Sequence, residues 1–115
     1  MASERIDRIQ KILAKEPQSE LLWFSLGQAY VENGEHPLAI EALEKAIAIK
    51  PDYTVVYEHL GHALEKAGKI EEAKEIYRKG IAVGQQTRDM IPFERMSDRL
   101  NRLEKGPRQK PESGS

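Results

Sequence analysis

The chain repeats itself at an interval of 34 residues. Trp23, Leu26, Gly27 and Tyr30 return as Tyr57, Leu60, Gly61 and Leu64. Gly34 falls on Gly68, Ala39 on Ala73, Glu41 on Glu75, Lys45 on Lys79, Ile47 on Ile81 and Ala48 on Ala82. With Leu26, Gly27 and Ala29 this makes nine identities in one repeat length, where chance at average composition gives roughly two. Such a period marks a stacked array of supersecondary units, each too small to bury its apolar face alone. An array of that kind builds an extended binding surface, so the period points to binding and away from catalysis.

The repeating unit is helical. Apolar residues recur at helical spacing along most of the chain, and no segment alternates with period two. Ile6, Ile9, Ile12 and Leu13 predict a first helix over 3–16, stopped by Pro17. Leu22, Trp23, Leu26, Ala29 and Tyr30 mark a second, ending at Asn33-Gly34. Pro37 suits the first turn of a third, which carries Leu38, Ala39, Ala42, Leu43, Ala46 and Ile47 as far as Lys50-Pro51. Val56, Tyr57, Leu60, Ala63 and Leu64 mark the fourth helix, and Ile70, Ala73, Ile76, Tyr77, Gly80 and Ile81 the fifth. A polar turn is expected from Gly84 to Asp89, followed by a sixth helix over 91–104 with Phe93, Met96, Leu100 and Leu103. Residues 105–115 are too polar to bury a core and read as a disordered tail. Gly27 and Gly61 lie inside helices, where glycine costs about 1 kcal/mol relative to alanine. Two such glycines at one register point to close helix approach, with Ala39 and Ala73 as the small facing residues.

Length and charge narrow the function. At 115 residues the chain is one domain by size. Lys and Arg number 18 against 19 Asp and Glu. That balance gives no electrostatic reason to expect nucleic acid or an anionic membrane as partner. Without cysteine there is no disulfide and no thiolate zinc site. The N-terminus lacks the apolar core of a signal peptide, and the apolar runs are too short to span a bilayer. A cytoplasmic location is expected.

At these residues the sequence resembles the tetratricopeptide repeat (TPR) family, whose pattern is W-x2-L-G-x2-Y, a turn glycine, then A-x3-F-x2-A-x4-P. The first copy reads Trp23, Leu26, Gly27, Tyr30, Gly34, Ala39, Leu43, Ala46 and Pro51, with Leu43 in place of the aromatic. The second reads Tyr57, Leu60, Gly61, Leu64, Gly68, Ala73, Tyr77 and Gly80, with Gln85 in place of the proline. The flanks carry fragments. Ile9, Leu13, Ala14 and Pro17 fall on Leu43, Ile47, Ala48 and Pro51, so the first helix matches the second half of a repeat. A shift of 70 places Phe93, Met96, Ser97 and Leu100 on Trp23, Leu26, Gly27 and Tyr30, so the sixth matches a first half. The resemblance implies an all-α fold of about six helices, stacked in antiparallel pairs as a short right-handed superhelix. Its parts would be a half-repeat helix at 3–16, repeats at 18–51 and 52–85, and a capping helix at 91–104. Arg95, Arg99, Arg102 and Glu104 are expected on the cap's outer, solvating face.

In this family the first helices of successive repeats line a concave groove that binds a peptide or a helix of a partner. The resemblance carries Leu21, Phe24, Gln28 and Val31 into that groove from the first repeat. From the second it carries Val55, Glu58, His59, His62 and Glu65. Ile91, Glu94 and Asp98 are further candidates on the last helix. Leu21, Phe24 and Val55 are informative because the core pattern does not require them to be apolar. They either anchor an apolar partner side chain or pack against the last helix or a second copy of the chain. The family's cationic clamp for a chaperone's C-terminal carboxylate is missing, since Phe24, Gln28, Glu58 and His59 occupy its positions. A basic or amphipathic segment suits the groove best.

His59 and His62 lie one turn apart, but a stable metal site needs three or four ligands, and no further ligand motif appears. No base-and-acid constellation and no glycine-rich phosphate loop accompanies Ser3, Ser19, Ser25 or Ser97. The expectation is a non-catalytic adaptor, without cofactor or metal, that binds another protein. A self-associating homodimer through the same apolar residues is the alternative.

Overall fold

The computed structural model describes residues 2–106, so most of the expected tail, from residue 107 onward, lies outside the described residues. Within them there are six helices and no strand: α1 (Ala2–Lys15), α2 (Glu20–Glu32), α3 (His36–Ile49), α4 (Thr54–Lys66), α5 (Ile70–Thr87) and α6 (Met90–Lys105). Each helix packs on the next, and α2 also meets α4, as α4 meets α6. The array is elongated, 57 × 32 × 19 Å. None of these helices is long and apolar enough to cross a membrane.

The turns inside the two repeats are built alike. Gly34 and Gly68 adopt positive φ, 77° and 81°, a region that glycine enters without steric cost. Gly34 N–H then donates to Val31 and Glu35 N–H to Tyr30; Gly68 N–H donates to Glu65 and Lys69 N–H to Leu64. These are paired Schellman bonds that satisfy the last carbonyls of α2 and α4. The junctions between repeats also share a device. Trp23 Nε1–H donates to the Pro17 carbonyl at 2.8 Å, and Tyr57 O–H to the Pro51 carbonyl at 2.7 Å. Each aromatic therefore ties its helix to the proline turn six residues before it.

The third junction lacks both parts. Phe93 has no donor, and Gln85 replaces the proline. A residue before proline is pushed out of the helical region, which ends α3 at Ile49. With no such stop, α5 runs on to Thr87 and reaches 18 residues, against 14 for α3. The expected turn from Gly84 to Asp89 is therefore mostly helix, and only Arg88 and Asp89 separate α5 from α6. Arg88 closes α5 in the left-handed region, at φ 66°. A hydrogen bond between the Thr54 and Thr87 hydroxyls, 2.8 Å long, joins the start of α4 to the end of α5.

The core runs the length of the array. Ile6, Ile9 and Leu13 enter it from α1, Leu43 from α3, Leu60 from α4, Tyr77 from α5 and Met96 from α6. Ile12 does not, being 44% exposed. It sits at the register of Ala46, the face that would meet a helix before α1, and no described helix lies there. The glycine contacts also differ from expectation. The partner of Gly27 is the large Leu43 side chain: a methyl at position 27 would lie only 2.7 Å from Leu43 Cγ, and 3.5 Å from the Ala39 carbonyl. At Gly61 the Tyr77 ring fills the same space. At Gly27 the Ala39 backbone does approach closely, as expected, but at both glycines the space left by the missing side chain holds a bulky residue of the second helix.

Gly61→Ala tests this packing. Helix propensity favours the change by about 1 kcal/mol, but a methyl would lie 2.6 Å from Tyr77 Cζ. Overpacking of this kind costs about 1–3 kcal/mol. A net loss of up to about 2 kcal/mol is expected in urea unfolding; a gain would show that the ring moves aside freely. Arg88→Gly should act oppositely and raise the melting temperature slightly, because it relieves a left-handed non-glycine residue.

Candidate functional site

The first helices α2, α4 and α6 share a face, and along it the side chains change from apolar to charged. At the α2 end, Leu21 is 58% exposed. Phe24 is half-buried, with its ring edge-on to Tyr53 at 5.4 Å and to His59 at 5.0 Å. Gln28 and Val31 are half-buried on the following turns of α2. Val55, also half-buried, borders a shallow cavity of about 480 Å³ with Tyr53, Thr87, Asp89 and Pro92. Phe24 therefore carries fold energy as well as offering surface.

Between α4 and α6 lies a cleft of about 450 Å³, lined by Glu58, His59, His62, Tyr77, Arg95, Asp98, Arg99 and Arg102. The expectation for α6 needs correcting here. Arg95 stays mostly exposed and Arg99 partly so, but both reach across to the acidic positions of α4 instead of only solvating the cap. Arg95 Nε and Nη2 donate to the two oxygens of Glu58 at 2.7 and 3.0 Å. Arg99 Nε donates to Glu65 Oε2 at 2.9 Å, and Tyr77 O–H donates to the same oxygen at 2.5 Å. Glu104 pairs with Arg78 of α5 at 2.6 Å. A signal for this is present in the sequence. Under the 70-residue shift Arg99 falls on Ala29, and Ala29 and Ala63 are fully buried, so that register faces inward. Helix α6 thus both closes the core, through Met96, and lines the cleft.

The two ion pairs differ in setting. Glu58 and Arg95 keep side-chain exposures of 24% and 57%, and such open pairs contribute little because water and salt screen them. Glu65 is only 11% exposed. Burial alone would push its carboxyl up, but the hydrogen bonds from Arg99 and Tyr77 and the Arg99 charge outweigh this and hold it below its ordinary value. Tyr77 moves the other way, well above the usual phenol range, through burial and then its bond to Glu65.

His59 lies lower than an ordinary histidine, chiefly because burial disfavours its cation; Glu58 opposes this, and His62 and Arg95 reinforce it. No group of three or more metal-binding side chains forms among the described residues.

Because the folded state depresses His59, the unfolded chain takes up its proton first. The stability held by neutral His59 is present above pH about 6.5 and is lost as pH falls through the lower folded value. Thermal melts between pH 7 and 5 should show a decline that becomes shallower in His59→Gln; an unchanged slope would remove His59 as its source. Phe24→Ala should cost about 1–3 kcal/mol in urea unfolding, since it removes two edge-to-face contacts.

The comparisons with known proteins agree with this architecture. A family profile described as TPR repeat matches residues 27–68, and one described as tetratricopeptide repeat matches residues 55–83. A search of curated sequences finds no match. Among solved structures, protein BPP2914 from Bordetella parapertussis is 28% identical over 87% of each chain, with a TM-score of 0.76. A crystal structure of MamA is 32% identical over 76% of this chain, with a TM-score of 0.71. The match covers 48% of MamA, so this chain spans about half of that protein's length. The first TPR of Spaghetti (RPAP3) superposes with a TM-score of 0.69 over 87% of this chain and 80% of its own. At 24% identity it is a likeness of fold alone. Antiparallel helix pairs that both profiles match make this chain a member of the tetratricopeptide-repeat family.

Proposed function

We propose that the chain is a non-catalytic adaptor that holds a segment of a partner protein along the face made by α2, α4 and α6. One observation carries this reading. Leu21, Val55 and Ile91 occupy one register, related by shifts of 34 and 70 residues, near the N-terminal ends of the three first helices. Leu21 and Ile91 are 58% and 67% exposed. The repeat core does not use Leu21 or Ile91, so their apolar character has no structural reason there, whereas Val55 between them is half-buried and packs against the core. Solitary exposed apolar residues are ordinary; a row in register across successive helices is a surface for binding. Beside the row lie Phe24, Gln28 and Val31, and then Glu58, His59, His62 and Glu65 of α4.

The Spaghetti domain was solved bound to an HSP90 peptide, SRMEEVD, which supports the fold as a peptide carrier. That chemistry does not transfer here, because Phe24, Gln28, Glu58 and His59 offer no cationic clamp. Affinity should be modest, about micromolar, given a groove only three helices wide.

The test is the double variant Leu21→Asp/Ile91→Asp. Both side chains are mostly exposed, so the melting temperature should move by less than about 2 °C. Partner recovery from the native organism's extract should fall at least about tenfold. Undiminished recovery would place the binding surface elsewhere. Light scattering separates the second reading: a concentration-dependent dimer that the same variant dissolves would identify a second copy as the partner.

A further inference from the structure

Glu58 is held by a group of the kind it would take from outside. Both of its carboxylate oxygens receive N–H groups from one guanidinium, in the two-pronged geometry by which arginine recognises carboxylates. That guanidinium belongs to Arg95, which is mostly solvent-exposed. Arg99, one turn on, contrasts with it: its carboxylate is nearly buried and shared with Tyr77. One pair is fastened into the fold, and the other lies open over the groove. The remaining charged and titratable groups around the cleft are His59 and His62 on α4 and Asp98 and Arg102 on α6.

We infer that Arg95 is an internal stand-in for a basic side chain of the partner, so that the groove takes an amphipathic basic segment whose Arg or Lys displaces Arg95 from Glu58. This rests on the groove reading above. Arg95 loses little on displacement, because water replaces an already exposed contact. A cation alone gains equally little from taking its place. A segment that also seats apolar residues on Leu21, Val55 and Ile91 gains from both. Arg95 therefore filters out merely basic chains and admits those combining charge with apolar anchors, which is specificity through a competing interaction.

The experiment compares the wild type with Arg95→Gln, using a phage-displayed library of random peptides about twelve residues long. Peptides selected on both proteins should be rich in apolar residues, and those selected on Arg95→Gln should be more basic. In fluorescence anisotropy at low salt, the basic peptides should bind Arg95→Gln about two- to five-fold more tightly than wild type. Adding Glu58→Gln to the variant should abolish that gain. Equal or weaker binding of basic peptides to Arg95→Gln, with neutral apolar peptides bound alike by both proteins, would overturn this proposal and leave the groove reading standing. Selected peptides that bind Leu21→Asp/Ile91→Asp as well as wild type would overturn both.

Discussion

Much of the C-terminal half of this protein follows from a missing side chain at position 61. Gly61 leaves the space that the Tyr77 ring fills. The ring, 2% exposed, carries its hydroxyl to Glu65, and Glu65 takes Arg99 on the same oxygen. One helix–helix contact thus positions a carboxylate on α4, and that carboxylate ties α6 to α4 through Arg99. Gly80 extends the chain of dependence, since its bare backbone admits Met96 of α6 and the Cβ of Tyr57. In the first repeat the same register holds Leu43 against Gly27 and Val31 where Glu65 would be, so no polar network forms there. The second repeat adds a nearly buried carboxylate at this register, which the first lacks.

That asymmetry divides the groove. A carboxylate taken out of water must be paired, and Arg99 with Tyr77 meets this need at Glu65. Glu58, closer to solvent, has no comparable need and accepts Arg95 on weaker terms. The apolar half, around Leu21, Phe24 and Val55, has no such internal partner on α6. On the proposed reading, the face offered to another protein combines the exposed Leu21 and Ile91 with a carboxylate whose cation is itself mostly exposed.

Helix number, helix pairing and the core are legible in the residue order, because each follows from periodicity. The 34-residue echo places Leu26, Ala39, Leu60 and Ala73 inside, and all four are buried. Boundaries are less legible where the repeat loses its punctuation. Without the proline of the first copy, α5 gains a turn that hydrophobic spacing does not show. The hydrogen bonds from Trp23 and Tyr57 to the proline carbonyls are also hidden, since the pattern records an aromatic position but not what its polar end reaches. Spacing alone assigns Arg95 and Arg99 to a solvating face, because charged residues usually occupy one. Helical spacing says which residues share a side, not which neighbour that side meets.

The sequence alone determined the repeat, the helices and the division between residues that echo and those that do not. These are consequences of local spacing and burial, which the order of residues encodes directly. Only the tertiary structure decided how the non-echoing residues are used: Phe24 against Tyr53 and His59, Glu58 under Arg95, Glu65 between Tyr77 and Arg99. Those contacts join residues up to 37 positions apart, on helices whose relative placement depends on how glycine and bulky side chains interlock. Periodicity carries no information about that distance, and the packed array supplies it.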